Sequence, residues 1–214
     1  MKKLLKKIWQ KYRFEPEKEE DKIAYSYLKN YDWILDVGCG EGRFFAQKPK
    51  KIRGIDWNRQ SIKKCKEKGY QVKRADARAL PFKDESVPAI HCSHLIEHFL
   101  PVDVHKILSE INRVLKPGGV LVIRSPLMWD RFYADLTHIK PYQPEAILRY
   151  LTPGHQQHTL RQITDQFQAI CLKWNYQPFA YQVKYLDAPF NILNRWGFPW
   201  LKKNRYLLVL RKKQ

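Results

Sequence analysis

The stretch WILDVGCGEGRFF, residues 33–45, joins an apolar run to a turn that carries Gly38, Gly40 and Gly42. A short apolar run of this kind predicts a buried strand. Glycines directly behind it let the backbone take positive φ and let a ligand come close to the main chain. A strand that runs into a glycine-rich turn and then a helix is a nucleotide-binding arrangement. The ligand class then narrows. The GxxxxGK[ST] pattern of a phosphate loop is absent, and the spacing is GxGxG where a dinucleotide site has GxGxxG. Glu41 stands where it would repel a phosphate, and Asp36 adds a carboxylate at the strand end. An acidic, glycine-lined cleft suits a ligand with a positive charge at its reactive centre.

The rest of the chain supplies a frame for that turn. KIRGID reads as a second strand. NRQSIKKCKEKG reads as a helix with Asn58 as N-cap and Gly69 as its stop. YQVKRAD and AIHCSH are the third and fourth strands. Val104, Ile107, Leu108, Ile111, Val114 and Leu115 then keep one apolar helix face, which KPGG ends, and VLVIRSP is a fifth strand. Strands alternating with helices imply a parallel sheet covered on both faces. Past Pro126, LMWDRFYADLTHIKPYQ reads as loop and PEAILRYL as a short helix with Pro144 in its first turn. QAICLKWNYQPF and NRYLLVLRKK read as the last two strands, and the aromatic, basic stretch APFNILNRWGFPWLKKNR between them has no clear period.

A length of 214 residues suits one domain, or one domain with an arm. Cys39, Cys65, Cys92 and Cys171 form no CxxC or CxxH pair, so their spacing suits neither zinc nor a disulfide framework, and no metal is expected. Reduced thiols point to the cytosol. The N-terminus opens like a signal peptide without its apolar core, and no run approaches about 18 apolar residues, so a cytoplasmic location is expected. The net charge of +19 predicts an anionic neighbour, whether nucleic acid, acidic lipid or a phosphorylated substrate; a proteome-wide lysine bias is the competing explanation. Residues 1–14 carry Lys2, Lys3, Lys6, Lys7, Lys11 and Arg13 with Leu4, Leu5, Ile8, Trp9 and Tyr12 at helical spacing, a basic amphipathic helix. Such a helix suits peripheral contact with the inner membrane face, with WGFPWLKK as a second contact, or simply covers the core.

Four ordered motifs carry a family resemblance. LDVGCGEG is similar to the first motif of the class I S-adenosylmethionine-dependent methyltransferases. GIDWN resembles the second, ADARALPFKDESVPAIHCSHLIEHF the third and fourth, and INRVLKPGGVLVIRSP the segment leading into strand five. The resemblance covers residues 31–126 and implies a Rossmann-like, doubly wound α/β fold. Its sheet would have seven mostly parallel strands, helices on both faces and an antiparallel last strand. Residues 1–30 would be a basic N-terminal segment and 31–214 the methyltransferase domain, with 127–160 and 178–204 as substrate-side or surface insertions. The implied cofactor is S-adenosyl-L-methionine. Gly38, Cys39 and Gly40 would lie against its methionine end and Asp36 would bond its amino group. Asp56 would take the two ribose hydroxyls. Asp76, with the Ala77 backbone beside it, would meet the adenine amine. Trp57 would pack on ribose or adenine, or stand as a half-buried aromatic, and Ser93 and His94 would face the sulfonium and the substrate. The family's aromatic and Asp ahead of strand four are replaced by Val87 and Pro88, which leaves the local edge geometry open.

For the chemistry, His138 is the first candidate base, in DLTHIKPY with Asp135 able to orient it, and His94 is its rival; His98, in LIEHF, reads as structural. The short stretch around DLTH and QPEAILRYL resembles methyltransferases of bacterial surface-polysaccharide synthesis, which implies O-methylation of a sugar on a glycan, lipid-linked or nucleotide-linked precursor. RNA methylation through the basic surface and a non-catalytic interaction role are the alternatives. No appended RNA-binding module and no NPPY-type motif is visible, because CSHLIEH occupies that place.

Overall fold

The computed structural model describes residues 16–129, 131–154, 160–177 and 202–214. The basic stretch 1–14 and residues 178–201, including all of WGFPWLKK but its last two lysines, lie outside the described residues.

Within them the elements run α1 (Pro16–Leu28), β1 (Ile34–Val37), β2 (Ile52–Asp56), α2 (Arg59–Glu67), β3 (Gln71–Arg74), β4 (Val87–Ser93), α3 (Pro101–Val114), β5 (Leu115–Pro126), α4 (Pro144–Leu151), β6 (Phe167–Gln177) and β7 (Lys202–Lys212). The described strands form one seven-stranded sheet in the order β3-β2-β1-β4-β5-β7-β6. Strands β1 to β5 pair in parallel, and β7 runs antiparallel to both β5 and β6. The doubly wound sheet expected from the sequence is therefore present. The order turns back at β1, which lies between β2 and β4, and ligands in such sheets collect at the strand ends beside that switch.

Period-two alternation along the strands divides the core into two layers. Leu35, Val37, Ile90, Cys92, Leu121 and Ile123 pack against the apolar stripe of α3 and against Ile147 and Leu151 of α4. Ile34, Ala89, Val120, Val122, Leu207 and Val209 pack on the opposite face with Ala24 and Leu28 of α1, Ile62 of α2, Phe44 and Phe45. Helix α1, placed by the sequence in an N-terminal segment, is thus part of the core.

The local signals act as their chemistry predicts. Asn58 accepts hydrogen bonds from the amides of Gln60 and Ser61 and starts α2, and Gly69 ends it at φ +74°. Pro101 and Pro144 open α3 and α4, where their missing N–H costs nothing. Helix α3 ends at Val114, just ahead of KPGG, and KPGG itself already lies in β5 with Gly118 at φ +76°. Val87 and Pro88 do begin β4, and its register against β5 shifts between Val87 and Ala89, the cost of a residue without an amide hydrogen.

One polar seam crosses the layer beneath α1. Arg124 of β5 is fully buried and pairs with Glu20 and Asp21 of α1. Asp21 also accepts from Arg43 Nε at 2.9 Å, which ties α1 to the segment after the glycine turn.

Candidate active site

The glycine turn folds over the carboxyl ends of β1 and β2. Gly38, Gly40 and Gly42 have φ of +75°, +52° and +82°, the left-handed region in which other residues are strained. A Cβ on Gly38 would stand 2.7 Å from Leu95 Cδ1, so both conformation and space demand glycine there. The amides of Gly38 and Cys39 donate to the Ile55 carbonyl at 2.9 Å each, and the Gly40 amide donates to Asp56 Oδ2 at 2.8 Å. Asp56 Oδ1 accepts from the Asn58 amide, also at 2.8 Å. Each carboxylate oxygen has two lone-pair sites, so Asp56 anchors the turn and keeps one acceptor per oxygen for a ligand diol.

A hollow of about 150 Å³ opens at these strand ends, bounded by Gly38, Asp56, Trp57, Asp76, Ala77 and Leu95 among others. A larger hollow of about 360 Å³ lies between α3 and α4. Its exposed lining is mostly apolar, and it stands away from the glycine turn.

Of the sequence-predicted cofactor residues, Gly38, Asp56, Trp57, Asp76 and Ala77 line the smaller hollow. Trp57 is 64% exposed, with the Arg74 guanidinium 4.2 Å over its ring, so it is a surface aromatic at the rim. Asp76 is gripped by Arg78, whose Nη2 donates at 2.8 Å and whose Nε lies 3.1 Å from both oxygens. These bonds hold the Asp76 carboxyl below its usual range. Arg78 was not singled out in the sequence, nor were Leu95 and Phe99, which close the same wall.

Four predicted residues, Asp36, Cys39, Gly40 and Ser93, are not among those that line the hollow. Asp36 is 3% exposed and bonds His91 Nδ1 at 2.7 Å. The two residues share register in the β1–β4 ladder, and His91 stacks on Phe44 at 3.7 Å. Asp36 is thus paired with His91 within the sheet and is not among the residues that line the hollow. Cys39 is buried with its thiol 3.8 Å from the Gly40 carbonyl, and burial pushes that thiol well up. Gly40 contributes its amide to Asp56, and Ser93 is a half-buried residue whose Oγ has no hydrogen-bond partner among the described residues.

The chain after β4 returns as a short turn, Ile96–His98, between Leu95 and Phe99 of the hollow wall. Glu97 on this turn is fully buried; its Oε2 accepts from Ser125 Oγ at 3.3 Å, and its carbonyl accepts the amide of Ile139 at 2.8 Å. His94, at φ +52°, brings its Nδ1 to 3.3 Å from Glu97 Oε1.

The DLTH loop docks on the same turn. His138 Nδ1 lies 2.7 Å from the Phe132 carbonyl. A carbonyl only accepts, so the Nδ1 of the neutral ring carries the hydrogen and Nε2 holds the lone pair. Asp135 Oδ2 is 4.0 Å from that Nε2, while Asp135 Oδ1 accepts from the amide and hydroxyl of Thr137, which holds the Asp135 carboxyl below its usual range. His98, expected to be structural, joins this cluster, its ring centroid 4.9 Å from that of His138.

Comparison with known proteins bears on this geometry. Residues 35–123 match a family model described as Methyltransferase domain. A tRNA (carboxymethyluridine(34)-5-O)-methyltransferase of Arabidopsis thaliana is 31% identical over 133 residues, 60% of this chain and 32% of that protein. Phthiotriol/phenolphthiotriol dimycocerosates methyltransferase 1 of Mycobacterium ulcerans is 37% identical over 101 residues, 42% of this chain and 35% of that protein. The matches thus span about a third of these curated relatives. The crystal structure of a SAM-dependent methyltransferase from Archaeoglobus fulgidus superposes with a TM-score of 0.67 at 21% identity, over 96% of this chain and 98% of that one.

Proposed function

As the chain belongs to the class I S-adenosylmethionine-dependent methyltransferases, we propose that it transfers a methyl group to a hydroxyl oxygen, with a saccharide precursor as the acceptor. One observation carries this reading. Leu95 and Phe99 wall the hollow at the glycine turn, and two residues between them, Glu97 and His98, form with His138 a polar cluster next to it.

The residues fit the cofactor. Asp56 keeps lone pairs for a ribose diol, Gly38 presents main chain alone to the hollow, and Ala77 and Leu95 offer apolar surface to a base. Bound S-adenosylmethionine supplies a methyl group on a sulfonium that is already a good leaving group. The protein's task is alignment of the acceptor oxygen, which can contribute about 7–11 kcal/mol. With the cofactor held there, the acceptor oxygen would take the methyl group as the sulfonium leaves, and the cluster of His94, Glu97, His98 and His138 would take the hydroxyl proton. Asp135 positions the loop that carries His138. Trp57 would become covered at the rim by the bound nucleoside.

Hydroxyl chemistry is supported by the lone pair on His138 Nε2 and by the O-methylating name of the Arabidopsis relative. The saccharide rests on the DLTH and QPEAILRYL resemblance. RNA is the second reading, favoured by the +19 charge and by the tRNA named for the same relative. Peripheral attachment to an acidic membrane through residues 1–14 accompanies the saccharide reading. No helix among the described residues is long and apolar enough to cross a membrane.

The test is transfer of a labelled methyl group to fractionated cell extract. Label in saccharide or glycolipid supports the proposal, and label confined to RNA transfers it to the second reading. His138→Ala is expected to slow turnover by about 100-fold or more while S-adenosylmethionine affinity holds. Unchanged turnover removes His138 from the mechanism.

A further inference from the structure

Three ligand-bearing side chains from segments far apart in sequence meet beside the nucleoside hollow. Glu97 and His98 follow β4, and His138 comes from the loop after β5. One ligating atom from each lies within 4.8 Å of the others. Main-chain carbonyls face both imidazoles on the Nδ1 side, Thr137 at 3.2 Å from His98 and Phe132 at 2.7 Å from His138. Each ring is thereby left with its Nε2 lone pair, and such outer contacts orient metal-binding histidines. Glu97 is 0% exposed; its Oε1 makes no hydrogen bond among the described residues, and His94 Nδ1 stands 3.3 Å from it. A buried carboxylate is costly unless a cation compensates it.

We infer that Glu97, His98 and His138 form a binding site for a divalent transition-metal ion. Two imidazole nitrogens and one carboxylate suit Zn²⁺, Mn²⁺ or Fe²⁺, whereas Mg²⁺ favours an all-oxygen shell. Three protein ligands leave coordination positions for solvent or for a substrate oxygen. Use of the ion to hold the acceptor hydroxyl rests on the methyltransferase reading; the site itself rests on the cluster. His138 then serves as a ligand in place of a free base, and the turnover lost in His138→Ala is expected on either role.

The full chain, stripped with EDTA and exchanged into chelator-free buffer, is titrated with Co²⁺ while its visible absorption is followed. The expected result is one equivalent bound, displaced by Zn²⁺, with no sulfur-to-cobalt charge-transfer band. His98→Ala and His138→Ala are each expected to weaken Co²⁺ binding by about 10-fold or more. Calorimetry with S-adenosylhomocysteine on the same samples reports that the variants are folded. No stoichiometric Co²⁺ uptake by the wild type overturns the assignment, as do unaltered affinity in the double variant, a sulfur band, or a preference for Mg²⁺. If a variant fails to fold, the wild-type titration alone decides. S-adenosylhomocysteine bound without Co²⁺ removes the metal and leaves the methyltransferase reading. Co²⁺ bound without S-adenosylhomocysteine does the reverse.

Discussion

Asp56 joins the turn to the ligand site through one carboxylate, so its replacement has two consequences. Asp56→Ala removes the acceptor for the Gly40 and Asn58 amides and for the proposed ribose diol. Hydrogen bonds to a charged group contribute about 1.5–3 kcal/mol each, so S-adenosylhomocysteine affinity should fall at least about 10-fold in a calorimetric titration. Unchanged affinity would place the ribose elsewhere. Gly38→Ala combines φ +75° with a 2.7 Å approach to Leu95. It should cost about 1–3 kcal/mol, a fall in Tm of about 2–4 °C per kcal/mol, and a Tm within a degree of wild type would contradict the strain argument. Glu110 accepts the Leu80 amide at 2.7 Å and pairs with Arg113, which holds its carboxyl below the usual range. A depressed carboxyl contributes stability above its unfolded pKa and loses it as the pH falls through the folded one. Glu110→Gln should therefore flatten the stability curve below about pH 4.3, and an unaltered acid limb would contradict the assignment.

At the scale of elements, α1 is fastened to the sheet by the pairing of Arg124 with Glu20 and Asp21. Removing one partner from a buried ion pair costs about 3–5 kcal/mol, because the others stay buried and uncompensated. Arg124→Ala is expected to lower the unfolding free energy from denaturant titration by that much, and a loss under about 1 kcal/mol would show that α1 is held by apolar packing alone. This seam was not legible in VLVIRSP, which reads only as a fifth strand. Burial of a charge depends on which helix lands over it. The strands, the α2 cap and the proline at the start of α4 were legible, because each rests on residues within one turn or one pleat of each other. The pairing of Asp36 with His91 depends on β1–β4 register, and no local pattern encodes register. The same limit hid the partnership of His98 with His138, 40 positions apart in the numbering. The EH pair in LIEHF and the H of DLTH were each visible, but their meeting is a product of the fold.

For the whole molecule, the sheet order sets where chemistry can occur. The switch at β1 gathers the glycine turn, Asp56 and the segment after β4 at one rim, and the loop after β5 brings His138 to it. The net charge of +19 acts on the encounter with substrate. If it serves an acidic membrane, vesicles containing phosphatidylserine should retain the protein and neutral vesicles should not, with retention falling as salt rises. Salt-sensitive retention on RNA with none on acidic vesicles would favour the nucleic-acid reading. The central claim is that the hollow between Gly38, Asp56 and Ala77 receives the nucleoside of S-adenosylmethionine. A crystal structure of the full chain grown with saturating S-adenosylhomocysteine tests it most directly. The account predicts adenosine in that hollow with both ribose hydroxyls on Asp56. A hollow empty of the nucleoside at saturation, or the ligand held at another place on the chain, would contradict it.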